Sequence, residues 1–244
     1  MSSGISWRHN VVSPETIFHR FEQHVRPLFG ANAYLDLDIH TAGKAYEAFV
    51  MGLCAEAVRL AGGEAILHGI NSDNQRIILR GSPACINSTK QNYGYLACTL
   101  GQYAFEIHIS AQVQGGSGAR HEVDVSVIEA TTAQRCRQAQ GKQYPDHESV
   151  LAACECKCYG TPVKTPLARE FVGTSVDVWL YQKWAVIHAV FCCFGDASLD
   201  ARLLVDTMRG RHLFENLRPF MGTRESEFVD HFGRRLSAVL GNGQ

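Results

Sequence analysis

The chain has no apolar run of membrane-spanning length, and no apolar segment of signal-peptide type follows Met1. A cytoplasmic protein with no membrane partner is the expectation. Net charge is nearly absent, formally −1 at pH 7. That excludes a generally basic nucleic-acid coat and leaves a local basic groove open. No Walker or dinucleotide fingerprint is present, and there is no internal repeat, low-complexity stretch or clear linker. Disulfide-framework spacing is also missing: the nine cysteines are odd in number, and several lie in strand-like apolar segments. They read as reduced, buried thiols. No cysteine sits at a helix N-terminus in a glycine-flanked elbow, which argues against a Cys–His hydrolase. With 244 residues the chain suits a single domain able to bury a core without metal or disulfide staples.

What is present is a strand that carries two charges among apolar residues, Val150-Leu151-Ala152-Ala153-Cys154-Glu155-Cys156-Lys157-Cys158. Alternation puts Glu155 and Lys157 on one face with Leu151 and Ala153. Val150, Ala152, Cys154, Cys156 and Cys158 form the other. Desolvating two charges in a central strand is costly unless something compensates, and a bound cation is one such compensation. A second strand, Val123-Asp124-Val125-Ser126-Val127, sets three valines on one face against Asp124 and Ser126. Asp is disfavoured within strands. One acid on the first strand, then an acid and a lysine on the next, make a sparse site for a hard cation. Two carboxylates suit Mg²⁺, which keeps several waters for substrate phosphates. The alternative of zinc at Cys154-x-Cys156-x-Cys158 is weak. Same-face residues two apart are separated by roughly 6.6 Å along a strand, and no second well-spaced cysteine pair exists.

The remaining pattern surrounds these strands with helices. Ser13-Pro14 opens a helix carrying Phe18, Phe21, Val25 and Leu28. A stronger one runs from about Thr41 to Ala61, with Tyr46, Phe49, Val50, Leu53, Ala57 and Leu60 as its core stripe and Gly62-Gly63 as its stop. Glu47 lies at the edge of that stripe. Residues 64–113 are strand-like: 66–70 and 77–79 flank Asn71-Ser72-Asp73-Asn74 as a hairpin, and 103–113 form a half-buried strand with Glu106, His108, Ser110 and Gln112 on its polar face. Gln114 to Gly118 then reads as a hairpin turn into the Asp124 strand. It precedes a strand, so it lacks phosphate-cradle geometry. Thr131 to Lys142, with Arg135 and Arg137, reads as a solvated loop or a helix. Thr165-Pro166 starts another helix, and Trp184 to Phe194 is the last core strand, with His188 a core histidine. Ser198 and Thr223 cap helices bearing Leu199, Leu203, Leu204 and Phe228, Phe232, Leu236.

Asp124 followed by Glu155-x-Lys157 resembles the PD-(D/E)xK nuclease superfamily. The nominal proline is replaced by Glu122-Val123-Asp124, a departure common among members. The likeness covers roughly residues 40 to 195. Glu148-Ser149-Val150 leading into the Glu155-x-Lys157 strand is also similar to the entry seen in bacterial defence nucleases. The resemblance implies an α/β, restriction-endonuclease-like αβββαβ core, a mixed central sheet flanked by helices. On that reading one domain spans 1–244, with an N-terminal helical extension at 1–40, the core at 41–195 and C-terminal helices at 196–244. It implies metal-dependent hydrolysis of nucleic acid, duplex DNA above all, by a homodimer or higher assembly. Asp124, Glu155 and the backbone carbonyl of Cys156 would bind Mg²⁺ or Mn²⁺. Lys157 would orient the attacking water, and Glu47 would serve a second ion. The rival expectation is a catalytically silent module that binds nucleic acid or a protein partner.

Overall fold

Thr41 accepts a hydrogen bond from the Lys44 backbone N–H (3.2 Å) and opens helix α1 (Ala42–Leu60). Gly62, at φ 87°, takes the left-handed turn that ends it. The computed structural model describes residues 35–36, 41–71, 77–179 and 188–241. Within it α1 is enclosed on nearly every side, with Tyr46, Phe49, Val50, Met51 and Leu53 fully buried. Each such side chain contributes roughly 1.5–3 kcal/mol through the apolar area it removes from water. Leu60 departs from the expected stripe and is 70% exposed. The helix expected after Ser13 and positions 184–187 of the expected last strand lie outside the described residues.

A seven-stranded mixed sheet carries the core, in the order β2 (Glu64–Gly69), β4 (Gly94–Leu100), β5 (Tyr103–Gln114), β6 (Arg120–Glu129), β7 (Val150–Lys157), β8 (Ala189–Cys193) and β9 (Arg211–Phe214). Pairing is antiparallel from β2 to β7 and parallel from β7 to β9. The short strands β1 (Leu35–Asp36) and β3 (Ile77–Ile78) pair in parallel as a separate unit. The expected hairpin between 66–70 and 77–79 therefore does not form. β2 pairs instead with β4, from Glu64↔Thr99 to Gly69↔Gly94, a longer ladder than the two-residue β3 offers.

Helices cover both faces. α1 and α5 (Gly222–Gly241) pack on one side, while α2 (Ala130–Gln138), α3 (Thr165–Trp179) and α4 (Leu199–Asp206) pack on the other. β8 shows the division: Val190 and Cys192 join the α1–α5 core, and Ala189, Phe191 and Cys193 join the opposite one. Covering both faces buries Glu106, His108 and Ser110, which the sequence pattern left on a solvated face. Residues 130–138 take the helical one of the two readings, and Arg137 on that helix grips the buried Glu106 with both terminal guanidinium nitrogens. Two further corrections concern the periphery. α4 keeps its Ser198 cap but is rotated, burying Ala201 and Val205 and exposing Leu199 and Leu203. The region expected to be purely helical also contributes β9, whose four residues are too few to display a period of two.

Two strands change face at one level of the sheet. On β5, Phe105, Ile107 and Ile109 pack toward α1, yet Ala111 and Val113, of the same parity, pack on the opposite side. On β6, Val125 and Val127 face α1, while Val123 faces away. The expected row of three valines is thus broken. The switch falls at Ser110, which holds φ 49° within a strand, and at Asp124. Their neighbours pair as Ile109↔Val125 and Ala111↔Val123, so Ser110 and Asp124 stand opposite each other at the crossover.

Candidate active site

The face switch is what delivers polar side chains to α1. Even-numbered residues of β5 and β6 lie away from α1 below it, as the buried Glu106 does. Beyond it, Ser110 and Glu122 reach the Lys44–Glu47 pair of the first helical turns. Ser110 Oγ donates to Glu47 Oε2 (3.0 Å) and accepts from Lys44 Nζ (2.6 Å). Lys44 Nζ also donates to both Glu47 oxygens (2.8 and 2.9 Å) and lies 3.5 Å from Glu122 Oε1. Glu47, expected at a helix edge, is only 6% exposed.

On the other side of Asp124 the sheet forks. The β6–β7 ladder ends at Val125↔Cys154, although β7 remains paired with β8 as far as Lys157↔Cys193. Past the fork, the Cys156 backbone N–H has lost its cross-strand carbonyl and donates to Asp124 Oδ2 (2.8 Å). A side-chain carboxylate has replaced a ladder acceptor. Glu155 and Lys157 emerge from β7 at this level and form an ion pair with each other. Their shared face with Ala153 agrees with the alternation, whereas the β6–β7 bulge at Val127/Ile128 places Val150 and Leu151 out of phase with it.

Electrostatics make Asp124 the hub. Burial, then the nearby charge of Asp124, push the Glu47 carboxyl from 4.5 to about 8, against the pull of Lys44 and Ser110. The same two causes raise Glu155 to about 7, opposed by Lys157. Burial disfavours the charged ammonium of Lys157, but Glu155 and Asp124 outweigh it and hold the lysine charged. Lys44 behaves alike, with Glu47, Glu122 and Asp124 overcoming its burial. The carboxyl groups of Glu47, Glu122, Asp124 and Glu155, with Glu170 beyond, thus outnumber the two lysines. A divalent cation would offset that excess and relieve the part of the shift at Glu47 and Glu155 that comes from Asp124 rather than from burial.

The donors are sparse. Among the described residues, no group of three or more His, Cys, Asp or Glu side chains is arranged to hold a metal ion. A cation here would rest on the two carboxylates flanking the fork and on water, which suits Mg²⁺ better than zinc. The cysteine row does not supply a site: Cys154 and Cys156 are buried free thiols packed toward α1.

All five residues singled out from the sequence, Glu47, Asp124, Glu155, Cys156 and Lys157, meet around this fork. Cys156 takes part through its N–H, which no side-chain pattern announces. Lys44 and Ser110 were missed, although signals for both exist. Lys44 stands three residues before Glu47 on one helical face, and counting outward from the turn at Ser117 sets Ser110 opposite Asp124. His188 is a core histidine, enclosed beside Phe232 with ring centroids 4.6 Å apart. No helix among the described residues is long and apolar enough to cross a membrane. Compared with known proteins, the chain matches no protein-family model, no curated protein and no solved structure.

Proposed function

We propose that the protein is a metal-dependent endonuclease that hydrolyses phosphodiester bonds, in DNA first, as a homodimer or higher assembly with a role in bacterial defence or DNA processing. The observation that carries this reading is the fork itself: Asp124 capping the Cys156 N–H where β6 and β7 part, with Glu155 and Lys157 on the freed strand.

Each residue has a distinct task. Asp124 and Glu155 would hold Mg²⁺ or Mn²⁺, with the Cys156 carbonyl as a further donor, and the Asp124–Cys156 hydrogen bond fixes the carboxylate's orientation. When bound, such an ion supplies Lewis acidity toward a phosphoryl oxygen and acidifies a water in its shell. Lys157, kept charged by its carboxylate neighbours, orients the attacking water and stabilises charge that develops on the phosphoryl oxygens. Glu47, enclosed on the α1 side of Asp124, would serve a second ion. Cutting both strands of a duplex calls for two such sites, hence the proposed dimer.

The test is cleavage of plasmid and linear duplex DNA in Mg²⁺, Mn²⁺ or EDTA, beside Glu155→Ala and Lys157→Ala. Metal-dependent cutting lost in both folded variants supports the reading. Cutting that persists in EDTA, or in folded Glu155→Ala, rejects it. Duplex binding without any cutting would turn the assignment to a silent nucleic-acid-binding module.

A further inference from the structure

Resting on the nuclease reading, we infer that Lys44 is a second phosphate-contacting lysine of this site, and that Ser110 is the residue that positions it.

The partial positive charge of a helix N-terminus disfavours a cation in the first turn of α1, and within the helix Lys44 is offset by Glu47 one turn on. The charge is justified by what it faces. Lys44 Nζ lies on the α1 side of Asp124, as Lys157 lies on the β7 side, so one acid stands between two lysine–glutamate pairs. Lys44 Nζ donates at 2.6–2.9 Å to both Glu47 oxygens and to Ser110 Oγ, so its three protons point at the inner partners. On its outer side lies the looser ion pair with Glu122 at 3.5 Å, whose side chain is 35% exposed beside a Lys44 that is itself 19% exposed. A phosphate oxygen arriving from solvent can take the place of Glu122 as the outer counter-charge while Glu47 and Ser110 keep the ammonium in position.

Ser110 supplies the positioning. A non-glycine residue at φ 49° in the middle of a strand is strained and persists only where its surroundings enforce it. That conformation is what turns the hydroxyl toward α1, where it bridges Lys44 and Glu47 opposite Asp124.

The experiment is binding of a fluorescein-labelled DNA duplex to the full chain in Ca²⁺, followed by anisotropy across a salt series. It compares wild type, Lys44→Met, Lys44→Arg and Ser110→Ala, each first checked for a cooperative melt. Loss of one phosphate contact lowers the salt slope by roughly 0.9. Lys44→Met is expected to show that loss with about a tenfold weaker affinity, Lys44→Arg to restore the slope, and Ser110→Ala to weaken binding while keeping it. Wild-type binding with an unchanged slope in folded Lys44→Met overturns the inference and leaves the nuclease reading standing. Wild-type protein that binds no duplex overturns both.

Discussion

Asp124 Oδ2 accepts the backbone N–H of Cys156 at 2.8 Å, and this one hydrogen bond joins the two strands beyond the point where their ladder has ended. The carboxylate that spans the fork is also the charge that raises Glu47 and Glu155. Structural and electrostatic roles are therefore separable at this residue. Asparagine can still accept from Cys156 through its side-chain oxygen, but it brings no negative charge.

Asp124→Asn should accordingly melt at an unchanged or higher temperature than wild type in EDTA, since repulsion is removed and the strand contact kept. A ligand at a hundred times its Kd stabilises the folded state by about 2.7 kcal/mol, or about 5–10 °C for a chain of this size. Wild type should gain this on addition of Mg²⁺ and the variant should gain none. Differential scanning fluorimetry with and without Mg²⁺ decides it, and an equal Mg²⁺ shift in both proteins removes Asp124 as a ligand.

The pH dependence follows from Glu47 at about 8 and Glu155 at about 7. Below roughly pH 4, near the unfolded carboxyl value, folded and unfolded chains alike hold both protons. Above it the folded chain retains protons that the unfolded chain has released. Their contribution to stability is lost as pH rises through about 7 and then about 8. In EDTA the melting temperature should fall between about pH 5.5 and 8.5 by more than in Glu47→Gln/Glu155→Gln. Mg²⁺ competes with the same protons, so its affinity should rise over that range. A flat wild-type profile in EDTA would mean that the two carboxyl groups are ionised throughout.

Much of this arrangement is legible in the sequence. Asp124 and the Glu155-x-Lys157 pair announce themselves because charge interrupts otherwise apolar strands, whereas Glu47 follows from the family resemblance alone, since the helical stripe places it only at an edge. The face switch could not be read. Alternation assumes extended backbone at every step, and a single positive φ at Ser110 reverses parity without altering the residue pattern. The bulge between Val127 and Ile128 hid the true faces of Val150 and Leu151 in the same way. Strand partners were equally opaque, because β2 and β4 are joined by a long connection and only their ladder reveals the match.

Lys157→Met separates catalysis from stability. The lysine is the main favourable partner of Glu155, so its loss should raise that carboxyl further and leave it protonated at neutral pH. A neutral buried acid costs little, so the melting temperature in EDTA should shift by only a few degrees, a change of about 1 kcal/mol. Cleavage should fall at least a hundredfold, the usual scale for removing one preorganised stabiliser of transition-state charge. Lys157→Met that cuts at the wild-type rate in a folded protein ends the role assigned to this lysine.

Far from the fork, the β5–β6 turn offers a test of the fold alone. Asp177 on α3 accepts the Ser117 backbone N–H (2.8 Å), the Ser117 hydroxyl (2.8 Å) and a bond from His121 Nε2 (2.6 Å), while its own carbonyl accepts from Gly116 N–H (2.9 Å). This pins the hairpin that sets the register of Ser110 against Asp124. Gly115 is closely fitted there: a Cβ at that position would lie 2.0 Å from Asp177 Oδ2. Gly115→Ala must therefore displace the carboxylate and disturb its hydrogen bonds, costing about 1–3 kcal/mol, or roughly 3–10 °C in Tm. Asp177→Ala frees the space but abandons the side-chain bonds, with a similar loss. Because both changes act on one contact, the double variant should lose less than the sum of the two, by at least about 0.5 kcal/mol in a denaturant-unfolding cycle. Strict additivity would show that the turn is held by something other than the Asp177 clamp.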